Sequence, residues 1–156
     1  MNHVDQMKEN ETQVNQTKEG SYPSDITPAS ELVRLALAAK EQAYVPFSHF
    51  HVGAALEMTD GQVYTGCNIE NSSFGATNCA ERTAIFKAVS EGGRTVRQLA
   101  VVSDSEDYCQ PCGICRQVMA EFAADDFVIH IARLDGAYKS YSLDEILPHA
   151  FRLRQP

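Results

Sequence analysis

The sequence is poor in basic residues. Lysine and arginine number 13 against 21 aspartate and glutamate, which gives a formal net charge of −8 at pH 7. This balance argues against general binding to nucleic acid or anionic membranes, because such binding depends on clustered lysine and arginine. The chain also contains no basic cluster and no glycine-rich phosphate-binding loop, so we do not expect a phosphorylated substrate.

The sequence has no apolar run that approaches the roughly 18 residues of a membrane span. Its first residues contain no charged-then-apolar leader of the secretory type. The five cysteines are an odd number, which in such a chain favours reduced thiols over a disulfide framework. We therefore expect a cytoplasmic protein, and the length of 156 residues predicts a single domain.

The chain divides into a polar N-terminal segment and a folded remainder. Residues 1–24 are rich in Asn, Gln, Glu, Lys and Thr and have few large apolar side chains, so we expect a disordered tail. Residues 25–156 are expected to form the functional domain, without internal repeats or low-complexity linkers.

Periodicity and turn residues predict an α-β-β-α-β-α-β-β-α order in this domain. The predicted elements are a helix capped by Thr27 and stopped by Pro46, strands over 51–58 and 63–67, a helix over 79–91, a strand over 99–102, a helix from Pro111 to about Phe122, strands over 127–132 and 138–141, and a short helix with a capping box at Ser142 and Glu145. This order predicts an α/β fold, a three-layer α/β/α sandwich with a mixed five-stranded sheet.

Three cysteines and one glutamate carry the strongest chemical signal. The tripeptide CAE spans Cys79 to Glu81, and the later motif PCGIC contains Cys112 and Cys115. Three thiolates can hold Zn²⁺ at three corners of a tetrahedron and leave the fourth open for water, as catalytic zinc sites do. Both cysteine groups fall at predicted helix N-termini, where free N–H groups and the helix dipole stabilise thiolates. Glu81 is close enough to handle the protons of a water in the open position.

Other interpretations stay open on spacing alone. A CxxC motif also marks redox sites, although a redox dithiol needs neither a third cysteine nor an adjacent glutamate. A closed structural zinc site would need Cys67 or Cys109 as its fourth ligand, and Cys109 lies close before Cys112. Three thiolates and Zn²⁺ sum to −1, so a nearby cation would moderate the charge, with Arg82 the first candidate and Arg116 the second. The histidines show no ligand spacing.

Several motifs together resemble one family. They are PFSHF at 46–50 with VGAA at 52–55, GCNIEN at 66–71, CAERTA at 79–84, PCGICRQ at 111–117 and LPHAF at 147–151. The set resembles the small homotetrameric zinc-dependent cytidine deaminases of the three-cysteine type, over roughly residues 28–151 and in one register. Zinc-dependent nucleobase deaminases as a class combine a ligand-x-Glu motif with a later Pro-Cys-x-x-Cys motif.

The resemblance implies a function and a site. The function is hydrolytic deamination of cytidine and deoxycytidine to uridine and deoxyuridine plus ammonia, a reaction of pyrimidine salvage. One zinc ion per subunit would be held by Cys79, Cys112 and Cys115. Glu81 would be the catalytic residue, taking a proton from water and delivering it to the pyrimidine ring. Arg82 would hydrogen-bond the cysteine sulfurs.

The resemblance also implies substrate-binding residues. They are Phe50 against the base, Asn68 and Glu70 at the ribose hydroxyls, and Ala80 beside the first ligand. Phe74 and Phe151 would reach the pocket of a neighbouring subunit in a homotetramer. Three positions depart from the family pattern: Phe47 and Phe74 lack hydroxyls that many relatives carry, and Gln110 stands where Ser or Thr is commoner.

Three alternatives to this function stay open. A deaminase for a modified or antibiotic nucleoside would be supported by the departures at Phe47 and Phe74. A nucleic-acid editing deaminase is opposed by the acidic balance of the chain. A structural zinc module that binds a partner would have a closed metal site and no need of Glu81.

Overall fold

The computed structural model describes residues 26–153. The predicted tail over residues 1–24 lies outside the described residues. Within the described part, no helix has the length and apolar character needed to cross a membrane.

The elements follow the predicted order. They are α1 (Ala29–Lys40), β1 (Val52–Met58), β2 (Val63–Cys67), α2 (Ala80–Ser90), β3 (Val96–Ser103), α3 (Gly113–Phe122), β4 (Ala123–Ala132), β5 (Tyr138–Ser142) and α4 (Leu143–Ile146), with a 3₁₀ turn at Phe74–Ala76 before α2. The turns at Gly61 and Gly136 have positive φ angles of 86° and 85°, which glycine adopts without steric cost. The predicted capping box is complete, because Ser142 and Glu145 bond each other's backbone N–H.

The five strands form one mixed sheet in the order β2-β1-β3-β4-β5. The β3–β4 pair is parallel, and the other three pairs are antiparallel. Strand β3 lies at the centre and is buried along almost its whole length, which explains its apolar sequence. The prediction of a mixed five-stranded sheet is confirmed.

Helices cover both faces of the sheet, so the predicted three-layer architecture is also confirmed. On one face, α1 buries Leu32, Val33 and Ala36 against small and branched residues of β1, β3 and β4. On the other face, α2, α3 and α4 pack over the alternate residues of the same strands, including Leu56, Leu99 and Ile129. The alternation of strand side chains between two faces therefore supplies two cores.

Two predicted boundaries of α1 are wrong. The N-cap residue is Pro28, and it makes no side-chain cap bond. Thr27 is not the cap because its N–H and its hydroxyl both donate to Glu57 Oε1 at 2.8 Å, which ties the start of the domain to β1. The helix also ends at Lys40 rather than at Pro46, because Tyr44 already pairs with Ile69 in a β-bridge.

Close packing of α2 on β2 depends on one glycine. A Cβ at Gly66 would lie 2.5 Å from the backbone N of Ala84 and 2.7 Å from the backbone O of Ala80. Only glycine therefore allows the first turn of α2 to approach the sheet this closely. This contact fixes the helix end that begins after Cys79.

Candidate active site

The three predicted metal ligands converge. Their Sγ atoms all lie within 4.8 Å of one another, and the Sγ atoms of Cys79 and Cys112 are 3.9 Å apart. Sulfurs at 2.3 Å from a tetrahedral zinc would be separated by about 3.8 Å, so the cluster fits this ion. The helices explain the convergence: Cys79 is the N-cap of α2, Cys112 is the N-cap of α3, and Cys115 lies one turn into α3.

The charge of the cluster also fits a metal cation. A hydrogen bond with Cys115, supported by contact with Arg82, lowers the pKa of Cys79 to about 5 against the opposing effect of burial. The same bond and burial raise the pKa of Cys115. Sulfurs this close cannot all be anionic unless a cation neutralises them, and a coordinated metal ion deprotonates thiols outright.

Glu81 lies beside the cluster and is almost completely buried, with 4% of its surface exposed. Burial, and then the charge of Cys79, raises the pKa of this carboxyl to about 7. A cation among the sulfurs would lower the pKa of Glu81 again, by stabilising the carboxylate. A buried carboxyl beside three metal ligands can accept a proton from water and donate it again, as acid–base catalysis requires.

Arg82 supplies positive charge next to the sulfurs. Its Nη2 lies 3.4 Å from Cys79 Sγ and 3.4 Å from the carbonyl O of Thr77. These contacts place a guanidinium one helical turn from the first cysteine, where it offsets part of the thiolate charge. Arg116, the second candidate cation, instead donates to the carbonyl oxygens of Pro111 and Ile146 and so braces the loop before α3.

Neither candidate for a fourth cysteine ligand joins the cluster. Among residues 26–153, the side chains that converge as possible metal ligands are the three cysteines already named. Cys67 donates to the carbonyl O of Gln42 at 3.3 Å. Cys109 precedes Pro111 outside α3, so its distance of three residues from Cys112 is not a helical turn. The fourth corner of the site is therefore not filled by a cysteine of the described chain.

Comparison with known proteins identifies the family. A family model described as "Cytidine and deoxycytidylate deaminase zinc-binding region" matches residues 26–131. The chain is 53% identical over 120 residues to a cytidine deaminase of Halalkalibacterium halodurans, an alignment that covers 77% of this chain and 91% of that protein. The chain belongs to this family of zinc-binding deaminases.

Other members of the family are also close. A cytidine deaminase of Sporosarcina psychrophila is 51% identical over 121 residues, covering 78% of this chain and 89% of that protein. The crystal structure of a cytidine deaminase from Burkholderia pseudomallei superposes with a TM-score of 0.75 at 42% identity, covering 80% of this chain and 100% of that chain. With the cysteine cluster, the family identifies zinc as the metal of this deaminase.

The segments that carry the predicted substrate-binding residues meet next to the zinc site. Ile69 pairs with Tyr44 on one side and with Asn78 on the other, through two short β-bridges. Asn78 directly precedes Cys79, so the bridges connect the segment of Asn68 and Glu70 to the start of α2. Ala80 opens α2 and is fully buried.

Asn68 and Glu70 hold the loop that contains Phe50. Asn68 Nδ2 donates to the carbonyl O of Phe50 at 2.9 Å, and Asn68 Oδ1 accepts from the N–H of Val52 at 2.9 Å. Glu70 accepts from the N–H groups of Phe47 and Ser48, and the hydrogen bonds with Ser48 lower its pKa. Phe50 itself is 37% exposed. Phe50, Asn68 and Glu70 thus form one ordered wall, which the β-bridges of Ile69 join to the segment before Cys79.

The two predicted intersubunit aromatics are exposed. Phe74 is 77% exposed, and its ring packs edge-on against Phe47 with centroids 5.9 Å apart. Phe151 is 68% exposed, and its carbonyl O accepts from Gln117 Nε2 at 2.8 Å. Gln110 is exposed before Pro111. The two departures from the family pattern at Phe47 and Phe74 are therefore neighbours on one surface.

Asp104 and Tyr108 are residues of this region that sequence reasoning missed. Asp104 follows β3 directly and bonds Lys40 and His51. Tyr108 lies in the loop that leads to Cys112, with the cations of Arg133 and Lys139 over its ring. The only signal in the sequence was the position of both residues between the central strand and the second cysteine motif.

Proposed function

We propose that this deaminase hydrolyses the C4–amino bond of cytidine and deoxycytidine, giving uridine and deoxyuridine plus ammonia. The observation that carries the proposal is the buried Glu81 beside three converging cysteines at two helix N-termini. This arrangement can hold a metal, leave one coordination position open and supply a proton carrier, which a hydrolase acting on a cyclic amidine needs. The high identity to named cytidine deaminases supports the choice of substrate.

Each catalytic residue has a defined role in the proposed reaction. Cys79, Cys112 and Cys115 would hold the zinc ion, which when bound would supply Lewis-acid activation of water near neutral pH. The carboxylate of Glu81 accepts a proton from the attacking water and delivers it to the ring N3. Glu81 then carries the proton of the new C4 hydroxyl to the amino nitrogen, so that the C4=O bond forms as the C4–N bond breaks and ammonia leaves, which balances the addition of one water. Burial of Glu81 excludes bulk water from this relay.

The wall beside the metal site is proposed to bind the nucleoside. Phe50 packs against the base, while Asn68 and Glu70 bind ribose hydroxyls, and the first turn of α2 at Ala80 borders the pyrimidine. Glu70 accepts two backbone N–H groups, and its carboxylate oxygens offer about four acceptor sites, so it can also accept from a hydroxyl. The lack of a basic cluster in the sequence supports a substrate without a 5′-phosphate.

The proposal also includes a homotetrameric assembly and a cytoplasmic location. The exposure of Phe74 and Phe151 supports a homotetramer in which these aromatics complete the pocket of a neighbouring subunit. The free cysteines of the described chain and a thiolate zinc site support a reducing compartment, and we propose the cytoplasm. Residues 25–156 would constitute the catalytic domain.

The decisive experiment compares the wild type with Glu81→Gln at matched zinc content, following the ultraviolet absorbance of cytidine. The amide keeps the shape of the side chain but cannot carry the proton, so we expect kcat to fall by about 10²–10⁴-fold with zinc retained. Glu31→Gln is the matched control, because Glu31 pairs with Arg34 on the exposed face of α1 and should leave turnover unchanged.

Two outcomes would contradict the proposal. Equal turnover by the wild type and Glu81→Gln would remove Glu81 from the chemistry. A zinc-loaded wild type that leaves both cytidine and deoxycytidine intact would exclude these substrates and favour a modified nucleoside, for which the hydroxyl-free Phe47–Phe74 contact is the supporting feature.

A further inference from the structure

A three-residue cluster lies where β3 ends. Asp104 Oδ1 accepts from Lys40 Nζ at 2.7 Å, and Asp104 Oδ2 contacts both the backbone N and the ring Nδ1 of His51 at 2.7 Å. The backbone N of Asp104 donates in return to the carbonyl O of His51 at 3.0 Å. The N–H and the C=O of one loop residue, His51, are therefore both fixed by Asp104.

The cluster differs from an ordinary surface ion pair. The side chain of Lys40 is only 11% exposed, and its ammonium also contacts the Glu41 carboxylate at 3.5 Å, but Glu41 is 72% exposed, so Asp104 is the closer and less hydrated partner. Partial burial opposes the charged form of Asp104, but the bonds from Lys40 and His51 outweigh it and lower the pKa to about 2. Asp104 is therefore an anion at every pH at which the enzyme would work, and its contacts are charge-assisted.

The position of His51 connects this cluster to the substrate wall. Phe50 directly precedes His51, and Asn68 holds the carbonyl of Phe50 and the N–H of Val52 on either side. His49, the residue before Phe50, has a φ of 56°, a left-handed conformation that few non-glycine residues adopt. Such a conformation persists only when its surroundings hold it: the N–H of His49 donates to the carbonyl O of Val45 at 3.0 Å, and Asn68 and Asp104 fix the residues that follow.

We propose that Asp104, together with Lys40 and His51, is a positioning residue that holds the backbone at 49–51 so that the Phe50 ring lies against the pyrimidine. The inference rests on the proposed function, because it assigns Phe50 the base as its partner. Asp104 acts through the loop and does not touch the substrate. The contacts of Asp104 with Lys40 and His51 join α1, the loop before β1 and the end of β3, so they fix the wall relative to the central sheet.

Asp104→Asn is the principal test. The amide keeps the size of the carboxylate but loses the charge and turns one acceptor into a donor, which cannot serve both Lys40 and His51. Contacts with the base are made in the ground state and in the transition state alike, so their loss raises KM more than it lowers kcat. We expect KM for cytidine to rise about tenfold, kcat to change less than about threefold, and zinc content to stay constant.

Two further sets of variants control for charge and for shape. Asp60→Asn is the matched control, because Asp60 also accepts a backbone N–H, that of Gln62, but does so at the β1–β2 turn. Its kinetics should equal those of the wild type. His51→Asn keeps a nitrogen near the position of Nδ1, whereas His51→Leu does not, so we expect the leucine variant to raise KM and the asparagine variant to restore it partly.

Amide hydrogen exchange tests the positioning without catalysis. In Asp104→Asn, exchange in residues 46–52 should accelerate about tenfold or more while exchange in α2 and α3 stays constant. Unchanged KM in an active Asp104→Asn, or unchanged exchange in this loop, would overturn the inference. Loss of zinc or a fall in kcat alone would overturn it as well, by assigning Asp104 to the metal site. A wild type inactive on cytidine would overturn the proposed function, which separates the two failures.

Discussion

At the scale of single residues, His130 is a buried histidine that takes no part in the cysteine cluster. His130 is buried on β4 between Gln98 Oε1, 3.0 Å from Nε2, and Ser140 Oγ, 2.8 Å from Nδ1. The side-chain nitrogen of Gln98 donates to Glu57 and to the carbonyl of Thr27, so its oxygen faces His130 as an acceptor. His130 therefore carries its proton on Nε2 and accepts from Ser140 at Nδ1.

This environment predicts an acid-sensitive contribution to stability. Burial lowers the pKa of His130 to about 4 from an ordinary value of 6.5. Below pH 6.5 the unfolded chain binds a proton that the folded chain does not, so the free energy of unfolding falls as the pH is lowered towards 4, by about 3 kcal/mol at most. Urea unfolding at pH 7 and pH 4.5 should show a larger loss in the wild type than in His130→Gln. Equal losses would show that His130 does not titrate differently in the two states.

The candidate site was predictable where its contacts are local in sequence. Cys112 and Cys115 are one helical turn apart, and so are Cys79 and Arg82, so spacing alone brings each pair together. Asp104 was not predictable, because its contacts with Lys40 and His51 bridge 64 and 53 residues. Such contacts depend on how α1 and β1 pack beside β3, which no local pattern encodes.

At the scale of elements, the loop between β3 and α3 determines where the second pair of cysteines lies. Tyr108 anchors this loop: Lys139 Nζ lies 4.5 Å and Arg133 Cζ 5.7 Å from the centroid of its ring. Both cations come from the β4–β5 hairpin, and the ring also packs on the core beneath α2 and α3. The two cation–π contacts therefore hold the segment that leads to Cys112 against the sheet.

This anchor predicts an effect on the metal site. Tyr108→Leu removes the π face, and at about 0.5–1 kcal/mol for each contact we expect zinc transfer to a chelator to accelerate about tenfold. Tyr108→Phe keeps the ring and should transfer zinc at the rate of the wild type. The measurement is the absorbance of a zinc-responsive chelator dye, and identical rates for the two variants would show that the ring is not the anchor.

The limits of the elements show what local sequence cannot specify. Strands β3 and β4 begin earlier than predicted, at Val96 and Ala123, in segments interrupted by charged residues such as Arg97 and Asp125. These segments are strands because Val96 pairs with Ala123, next to an irregularity in the β3–β4 register. Neither segment shows the alternation of apolar and polar residues that would identify a strand from its own sequence. The type and order of elements were predictable, because strong periodicity and turn residues agree at those positions.

At the scale of the whole molecule, the described chain exposes several large apolar side chains. Phe74 and Phe151 are 77% and 68% exposed, and Ile114 and Leu153 are 62% and 77% exposed. Burying a side chain of this size contributes about 1.5–3 kcal/mol, so a few of them can sustain an interface. The net charge of −8 per chain opposes association, and salt reduces this repulsion.

The burial of exposed apolar side chains and the repulsion between acidic subunits together predict how the proposed homotetramer should respond to mutation and to salt. Phe74→Ser and Phe151→Ser should each weaken association, and low ionic strength should weaken it further, because unscreened acidic subunits repel. Light scattering coupled to size exclusion at 50 and 500 mM salt measures the mass, and cytidine turnover on the same fractions reports whether the pocket is complete. Leu134→Ser is the matched control, since Leu134 is 46% exposed at the β4–β5 turn and should leave both readouts unchanged.

If the wild type is fully active as a monomer, these aromatics do not complete a neighbour's pocket. If the mass falls in the phenylalanine variants while turnover persists, the interface is structural only. Coupled loss of mass and turnover in the phenylalanine variants alone is the outcome that the exposed aromatics predict.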